Sequence, residues 1–138
     1  MTLFAHTDGA SRGNPGESGI GFILRDELGN VLFSAGGYIG TATNNIAEYQ
    51  ALLACLRKAV AMKCKHLIVH SDSQLMVRQI CGQYRVKDKM LQIFHREAKA
   101  ILDRAPFTFK ILHVDREENV DADSLANSGI DSKRPLAL

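Results

Sequence analysis

Four carboxylates stand where a strand is expected to end or a helix to begin: Asp8, Glu48, Asp72 and Asp123. Each has an ordinary structural explanation, since acids are common in turns, at helix caps and near the positive end of a helix dipole. Together they are more specific, because sites in open α/β sheets form outside the strand ends. Carboxylates gathered at one such edge repel one another unless a divalent cation neutralises them. Oxygen ligands favour Mg²⁺ or Mn²⁺ over zinc.

The elements that must hold these acids begin with three short apolar runs, which we interpret as strands. They are Leu3–Ala5, Gly19–Leu24 and Val31–Ile39. The turn residues of Asp26–Asn30 join the second run to the third and predict an antiparallel hairpin. The glycine-rich stretch Gly9–Gly16 is interpreted as a loop, and it lacks the GxGxxG or GKS/T pattern of a nucleotide cradle.

From Asn45 the apolar residues recur with a helical period, which predicts a helix over 45–62 with Glu48 three residues after its cap. Ser71 and Gln74 have the spacing of a second helix start. Further periodicities predict strands over 66–70 and 107–114, helices over 73–82 and 88–102, and a last helix from about Asn119 to Gly129. The order βββαβααβα predicts an α/β fold, a five-stranded mixed sheet flanked by helices.

The composition fits a single globular unit of 138 residues, 46% hydrophobic and 23% charged. The net charge is only +2, so basicity alone does not indicate nucleic-acid binding. No apolar stretch approaches the roughly 18 residues that span a bilayer, and no export signal is readable, so we expect a cytoplasmic location. Cys55, Cys64 and Cys81 show no CxxC spacing, which predicts reduced, mostly buried thiols without a disulfide or zinc.

Four motifs follow one another along the chain. They are TDGASRGNPG at Thr7–Gly16, TNNIAEYQAL at Thr43–Leu52, HSDSQ at His70–Gln74 and HVDREENVDADSLAN at His113–Asn127. In this order, and with these strand and helix contexts, they resemble type 1 ribonuclease H. The resemblance implies hydrolysis of the RNA strand in RNA/DNA hybrids, leaving 5′-phosphate and 3′-hydroxyl ends. It also implies a catalytic domain over residues 1–130, followed by a short polar C-terminal tail over 131–138.

The resemblance places the family's four metal-binding acids on Asp8, Glu48, Asp72 and Asp123. It implies two Mg²⁺ ions, for which Mn²⁺ is expected to substitute, with Asp8 bridging both. Asp123 would complete the water-activating site, while Glu48 and Asp72 would hold the ion at the leaving 3′ oxygen. Asp121 lies only two residues from Asp123, and the AsnxxAlaAsp pattern that starts at Asn119 favours Asp123.

Substrate contacts are also implied by the resemblance. Residues that match positions lining the RNA strand are Asn14, Asn44, Asn45 and Gln74. Short amides there suit recognition of the 2′-hydroxyl, which distinguishes RNA from DNA without reading sequence. Turn and cap chemistry explains the asparagines equally well. Thr43 resembles a residue of the pocket that holds a DNA-strand phosphate.

Two features depart from the family pattern. The chain has no Trp and only Gln83–Lys89 where many members carry a basic handle, so we expect weaker hybrid affinity and a steeper dependence on magnesium. Arg85, Lys87 and Lys89 remain there as candidate phosphate contacts or as a solvated charged loop. His113 stands ten residues before Asp123, as the family's mobile catalytic histidine does. Strand alternation instead favours a partly buried structural imidazole at that position.

The expected partner is therefore an RNA/DNA hybrid, and the protein is expected to act as a monomer without an obligatory protein partner. Two other functions stay open. One is a hybrid-binding module that does not cleave, and the other is a nuclease of the same fold that acts on DNA.

Overall fold

The structure is a computed structural model that describes residues 1–137. Its elements, in chain order, are β1 (Thr2–Gly13), β2 (Gly16–Arg25), β3 (Val31–Ala42), α1 (Asn44–Ala61), β4 (His66–Ser71), α2 (Gln74–Ile80), α3 (Lys89–Arg104), β5 (Thr108–His113) and α4 (Val120–Ser132). A 3-10 turn over Arg116–Glu118 precedes α4. The predicted order and the predicted hairpin between the second and third strands are confirmed.

The five strands form one mixed sheet in the order β3-β2-β1-β4-β5. The strands β1, β2 and β3 are antiparallel neighbours, whereas β4 pairs parallel to β1 and β5 pairs parallel to β4. One sheet face is covered by α1 and holds the main apolar core. The opposite face carries α4, which packs on β2, β3 and β1.

The first strand is longer than its apolar run predicts, and the interpretation of Gly9–Gly16 as a loop is wrong. β1 continues to Gly13 and stays paired with β2, so Asp8 lies inside the strand and not in a turn after it. Glycine stands at position 9 for a different reason. A Cβ there would overlap the backbone of Ala47 and Glu48, so only glycine lets α1 approach the strand this closely.

Both predicted helix starts shift by one or two residues. Thr43 caps α1, and its Oγ1 accepts a hydrogen bond from the backbone N–H of Ile46 at 3.2 Å. Glu48 therefore lies in the second turn and forms no capping box. Ser73, not Ser71, caps α2 in the same way. In both cases several neighbouring residues have capping side chains, so the sequence alone does not select among them.

The C-terminal segment packs on the sheet. The helix α4 runs to Ser132, so the division expected at residue 130 falls inside it. Beyond the helix, the N–H of Tyr38 donates to the carbonyl of Arg134 at 2.7 Å, and Leu136 lies against Gly37. The last residue of the predicted tail, Leu138, lies outside the described residues.

The prediction of mostly buried cysteines is confirmed, since Cys55 and Cys64 are buried and Cys81 is exposed. Among residues 1–137, no helix combines the length and apolar character needed to cross a membrane.

Candidate active site

Three carboxylates meet beside the carboxyl end of β4, on the central strands of the sheet, because of the register between β1 and β4. Thr7 pairs with Ser71 across the parallel ladder, so the next residue on each chain segment is an acid, Asp8 and Asp72. Glu48 reaches the same place from α1. One carboxylate oxygen from each of the three residues lies within 4.8 Å of the others.

Glu48 is fixed by the close packing of α1 on β1. Its Oε1 accepts a hydrogen bond from the backbone N–H of Gly9 at 2.6 Å, inside the protein. The missing Cβ at Gly9 makes this contact possible. The same glycine thus sets the approach of the helix and donates to its acid, which places the Glu48 carboxylate against Asp8.

The fourth predicted acid, Asp123, lies in the first turn of α4 beside Asp8, and its carboxyl contributes to raising the pKa of Asp8. Asp121 turns toward β2 and forms a salt bridge with Arg25 at 2.9 Å. Residues two apart on a helix point in different directions, so only one of these two acids can face the cluster. The structure brings Asp123, not Asp121, to that place.

The cluster is electrostatically costly without a counter-charge. Asp8 and Glu48 are each only 4% exposed. Burial raises the pKa of both carboxyls, repulsion from Glu48 and Asp72 raises that of Asp8 further, and repulsion from Asp72 acts likewise on Glu48. Arg116 opposes this effect on Glu48, and the sequence reasoning missed that basic neighbour. Acceptor-only oxygens in this number fit a hard divalent cation, so the residues present suit the implied metal.

The predicted substrate residues lie on the β1–β2 hairpin and at the starts of α1 and α2. Asn14, at the tip of the β1–β2 hairpin, accepts a hydrogen bond from the backbone N–H of Asn44 at 3.1 Å through its Oδ1. The side chains of Asn45 and Gln74 are exposed at the starts of α1 and α2. The hydroxyl of Thr43 caps α1, which leaves its own proton available for donation.

His113 ends β5, where it pairs with Ser71 next to Asp72. Its side chain is exposed, so the expectation of a partly buried, packed imidazole is wrong. Alternation along β5 predicts which side chains face the core, but it does not predict where along the strand burial ends. Ile111 is the buried residue of β5, and His113 lies two residues beyond it. The position leaves the imidazole free to act in solvent beside the acid cluster.

The sequence reasoning also missed a groove that Asn45, one of the predicted substrate residues, helps to line. A cleft of about 510 Å³ lies between α1, α2 and α3, with Asn45, Leu75, Gln79, Tyr84 and Arg85 among its lining residues. The guanidinium of Arg78 lies over the Tyr84 ring at 5.1 Å, and this ring is 46% exposed. An aromatic residue among basic ones in the short segment 81–88 was the available signal, since that mixture is typical of nucleic-acid surfaces.

Comparison with known proteins gives the family. A family model described as Reverse transcriptase-like matches residues 6–129. The chain is 39% identical over 129 residues to Ribonuclease HI of Halobacterium salinarum, covering 94% of this chain and 64% of that relative. It covers 36% of the length of three mycobacterial relatives. The chain therefore spans about one third to two thirds of these relatives.

Two solved structures extend the likeness to the backbone. The crystal structure of RNase H1 from Halobacterium salinarum has a TM-score of 0.91 at 37% identity, covering 96% of this chain and 99% of that one. LC11-RNase H1, solved in complex with an RNA/DNA hybrid, has a TM-score of 0.89 at 38% identity and covers 94% and 97%. The mixed sheet, with the acid cluster of Asp8, Glu48 and Asp72 at its central strands, is that of a ribonuclease H-like domain. The chain belongs to the type 1 ribonuclease H family.

Proposed function

We propose that this protein is a ribonuclease H, an endonuclease that hydrolyses the RNA strand of RNA/DNA hybrids. The observation that carries the proposal is the meeting of Asp8, Glu48 and Asp72 within 4.8 Å, with Asp123 alongside. It is supported by 37–39% identity to RNase H1 structures, one of them solved with a hybrid.

In this proposal Asp8, Glu48, Asp72 and Asp123 hold two divalent cations, Mg²⁺ or its substitute Mn²⁺. When bound, such ions neutralise the cluster, activate water and stabilise a leaving 3′ oxygen. The chain's own part is preorganisation, because β1, β4, α1 and α4 fix the four carboxylates before substrate arrives. Asp8 lies centrally, between Glu48, Asp72 and Asp123, and is our candidate for the bridging ligand.

Strand recognition is assigned to the polar residues around the acids. Asn14, Asn44, Asn45 and Gln74 present amides for the 2′-hydroxyl, which only the RNA strand carries. Thr43 offers a hydroxyl donor to a DNA-strand phosphate. The groove beside Tyr84 and Arg85 supplies an aromatic face and positive charge, which suits the DNA strand of the same duplex.

A gel assay on purified protein tests the proposal. Matched RNA/DNA, RNA/RNA and DNA/DNA duplexes are incubated with Mg²⁺, Mn²⁺ or EDTA, and the product ends are analysed. We expect cleavage of the RNA strand of the hybrid alone, only with a divalent ion, giving 5′-phosphate and 3′-hydroxyl ends. Hybrid binding without cleavage would instead indicate a binding module, and cleavage of DNA a different nuclease. The assay uses the purified protein alone. That the protein is a monomer and lies in the cytoplasm remains a prediction from the sequence.

A further inference from the structure

Asn119 stands at the N-cap position of α4, yet its side chain does not cap the helix. The residues at the starts of the other three α-helices, Thr43, Ser73 and Asp88, each accept a backbone N–H of their own first turn. The amide of Asn119 crosses to the sheet instead, and its Nδ2 donates to the backbone carbonyl of Thr7 in β1 at 2.8 Å. The side chain is buried, with the residue only 1% exposed.

This hydrogen bond joins the two segments that carry Asp8 and Asp123. Thr7 directly precedes Asp8 in β1. On the other side, the backbone carbonyl of Asn119 accepts the N–H of Asp123 at 3.1 Å. One residue therefore bonds to the neighbour of the first acid and to the backbone of the second.

The other polar contacts between this part of α4 and the sheet are exposed. Nδ2 of Asn127 donates to the Asp123 carboxylate at 3.3 Å, and Arg12 of β1 donates to Oδ1 of Asn127 at 3.3 Å. Near the start of α4, the salt bridge from Asp121 to Arg25 runs to β2 instead, and the Asp121 side chain is 72% exposed. Exposed ion pairs restrain geometry weakly, whereas a buried hydrogen bond is costly to break. Among these contacts the amide of Asn119 is the buried one, and we therefore expect it to restrain the start of α4 most strongly.

The Oδ1 atom of Asn119 is buried without a hydrogen-bond partner within residues 1–137. A buried acceptor left unpaired is destabilising, and such groups in a folded protein are few. Within residues 1–137 the side chain of Asn119 therefore makes its hydrogen bond through its donor and none through its acceptor. A residue that merely filled this space would avoid that cost.

We propose that Asn119 is a positioning residue that sets the place of Asp123 relative to Asp8, and through them the geometry of the metal-binding cluster. The inference rests on the proposed function for its catalytic consequence. Its structural part, the hydrogen bond from Asn119 that joins α4 to β1, does not depend on that function.

The test compares Asn119→Ala and Asn119→Leu with Cys64→Ala as the control. The leucine keeps the branched shape of asparagine and loses the donor without adding a charge. The control removes another buried hydrogen bond, from the Cys64 thiol to the carbonyl of Ala59 at 3.8 Å, and Cys64 precedes the end of β4 opposite to Asp72. We expect both Asn119 variants to lose kcat by about 100-fold with KM for the hybrid within about two-fold, because misplaced catalytic groups affect the transition state. Cys64→Ala should melt earlier and keep its kcat.

A second readout needs no substrate. Titration with Mg²⁺ alone raises the melting temperature of any protein that binds it only when folded. We expect the Asn119 variants to need about ten-fold more Mg²⁺ for the same rise, since each misplaced ligand weakens the site. The positioning role is overturned if both variants keep kcat and Mg²⁺ response near wild type, or lose them only as Cys64→Ala does.

Wild-type NMR covers the case in which neither variant folds. The side-chain amide protons of Asn119 should be protected from solvent exchange, and a scalar coupling should connect Nδ2 to the Thr7 carbonyl. Exchange as fast as that of the exposed Asn30 would overturn the inference. If the wild type folds and shows this bond but cleaves no hybrid, the proposed function fails and the tie between α4 and β1 stands.

Discussion

The acid cluster and the segment over residues 81–88 differ in burial and in the way the fold holds them. Asp8 and Glu48 are buried, repel one another and are held by the sheet and the core. Tyr84, Arg85 and Lys87 are exposed, and the segment that carries them joins α2 to α3 without regular structure. In our proposal the two central acids are thus buried at a cost to stability, whereas the residues that would hold the duplex are exposed and cost little to keep or change.

The sharpest test of this contrast is Asp8→Asn. The substitution keeps the shape of the side chain and removes the central charge, so we expect cleavage to fall by at least about 10³-fold. Hybrid binding, which depends on the exposed residues, should stay within about three-fold of wild type. Gel assays and binding titrations on the same preparation measure both quantities. A variant as active as wild type would move the active site elsewhere.

The two acids of α4 offer a matched pair. Asp123→Asn should lower the rate by about 10²-fold or more, because its carboxyl lies beside Asp8. Asp121→Asn should change the rate by less than about three-fold, since it loses only an exposed salt bridge to Arg25. Cleavage rates of the two variants under one set of conditions decide the matter, and the reverse order would show that the wrong acid has been assigned.

The third change concerns His113, which is exposed next to the strand end that carries Asp72. A proton shuttle or an aid to product release there would make His113→Ala slower by about 10- to 100-fold, with an altered pH profile. The melting temperature should stay within about 2 °C, because no packing is lost. A fall in melting temperature with unchanged turnover per folded molecule would restore the structural interpretation.

Stability of the metal-free protein should depend on pH through the same acids. Burial and mutual repulsion raise the pKa of Asp8 and of Glu48 in the folded state. The folded state then holds protons that the unfolded chain releases near its ordinary pKa of about 4. Stability from these groups is therefore present at low pH and lost as pH rises toward their folded pKa values.

In EDTA, we expect the melting temperature to fall as pH rises from about 5 to 9, by roughly 5 °C or more from this source. Asp8→Asn removes one titrating charge and should melt higher than wild type at pH 8. The difference between the two proteins isolates the cluster from other titrating groups. Parallel melting curves at every pH would mean that Asp8 is charged in the folded state throughout.

The sequence predicts much of this molecule, and its failures have physical causes. The order of strands and helices follows from the hydrophobic periodicity. The choice of the four acids follows from their residue type and their order along the chain. The length of β1 could not be predicted from the sequence, because a glycine at position 9 is typical of a turn. In the structure that glycine instead allows α1 to pack closely on the strand. Asn119 is predictable as a helix start, but its bond to Thr7 joins residues 112 apart and depends on the folded sheet.

The smallest expected effect is that of replacing a basic residue in the segment 81–88, in contrast to the large effects expected at the acids. Arg85 is exposed and lines the groove beside Tyr84, where its charge is available to one phosphate. Arg85→Ala should weaken hybrid binding by about three- to ten-fold at low salt and leave kcat nearly unchanged.

The salt dependence distinguishes a phosphate contact from a solvated charge. Loss of one contact should reduce the slope of log affinity against log salt by about one, and the variant should approach wild type as salt rises. Glu97→Ala at an exposed, distant ion pair with Arg57 serves as the control and should leave the slope unchanged. An unchanged slope for Arg85→Ala would mean that this arginine faces solvent in the complex. The duplex would then be held without Arg85, by polar residues such as Asn14, Asn45 and Gln74.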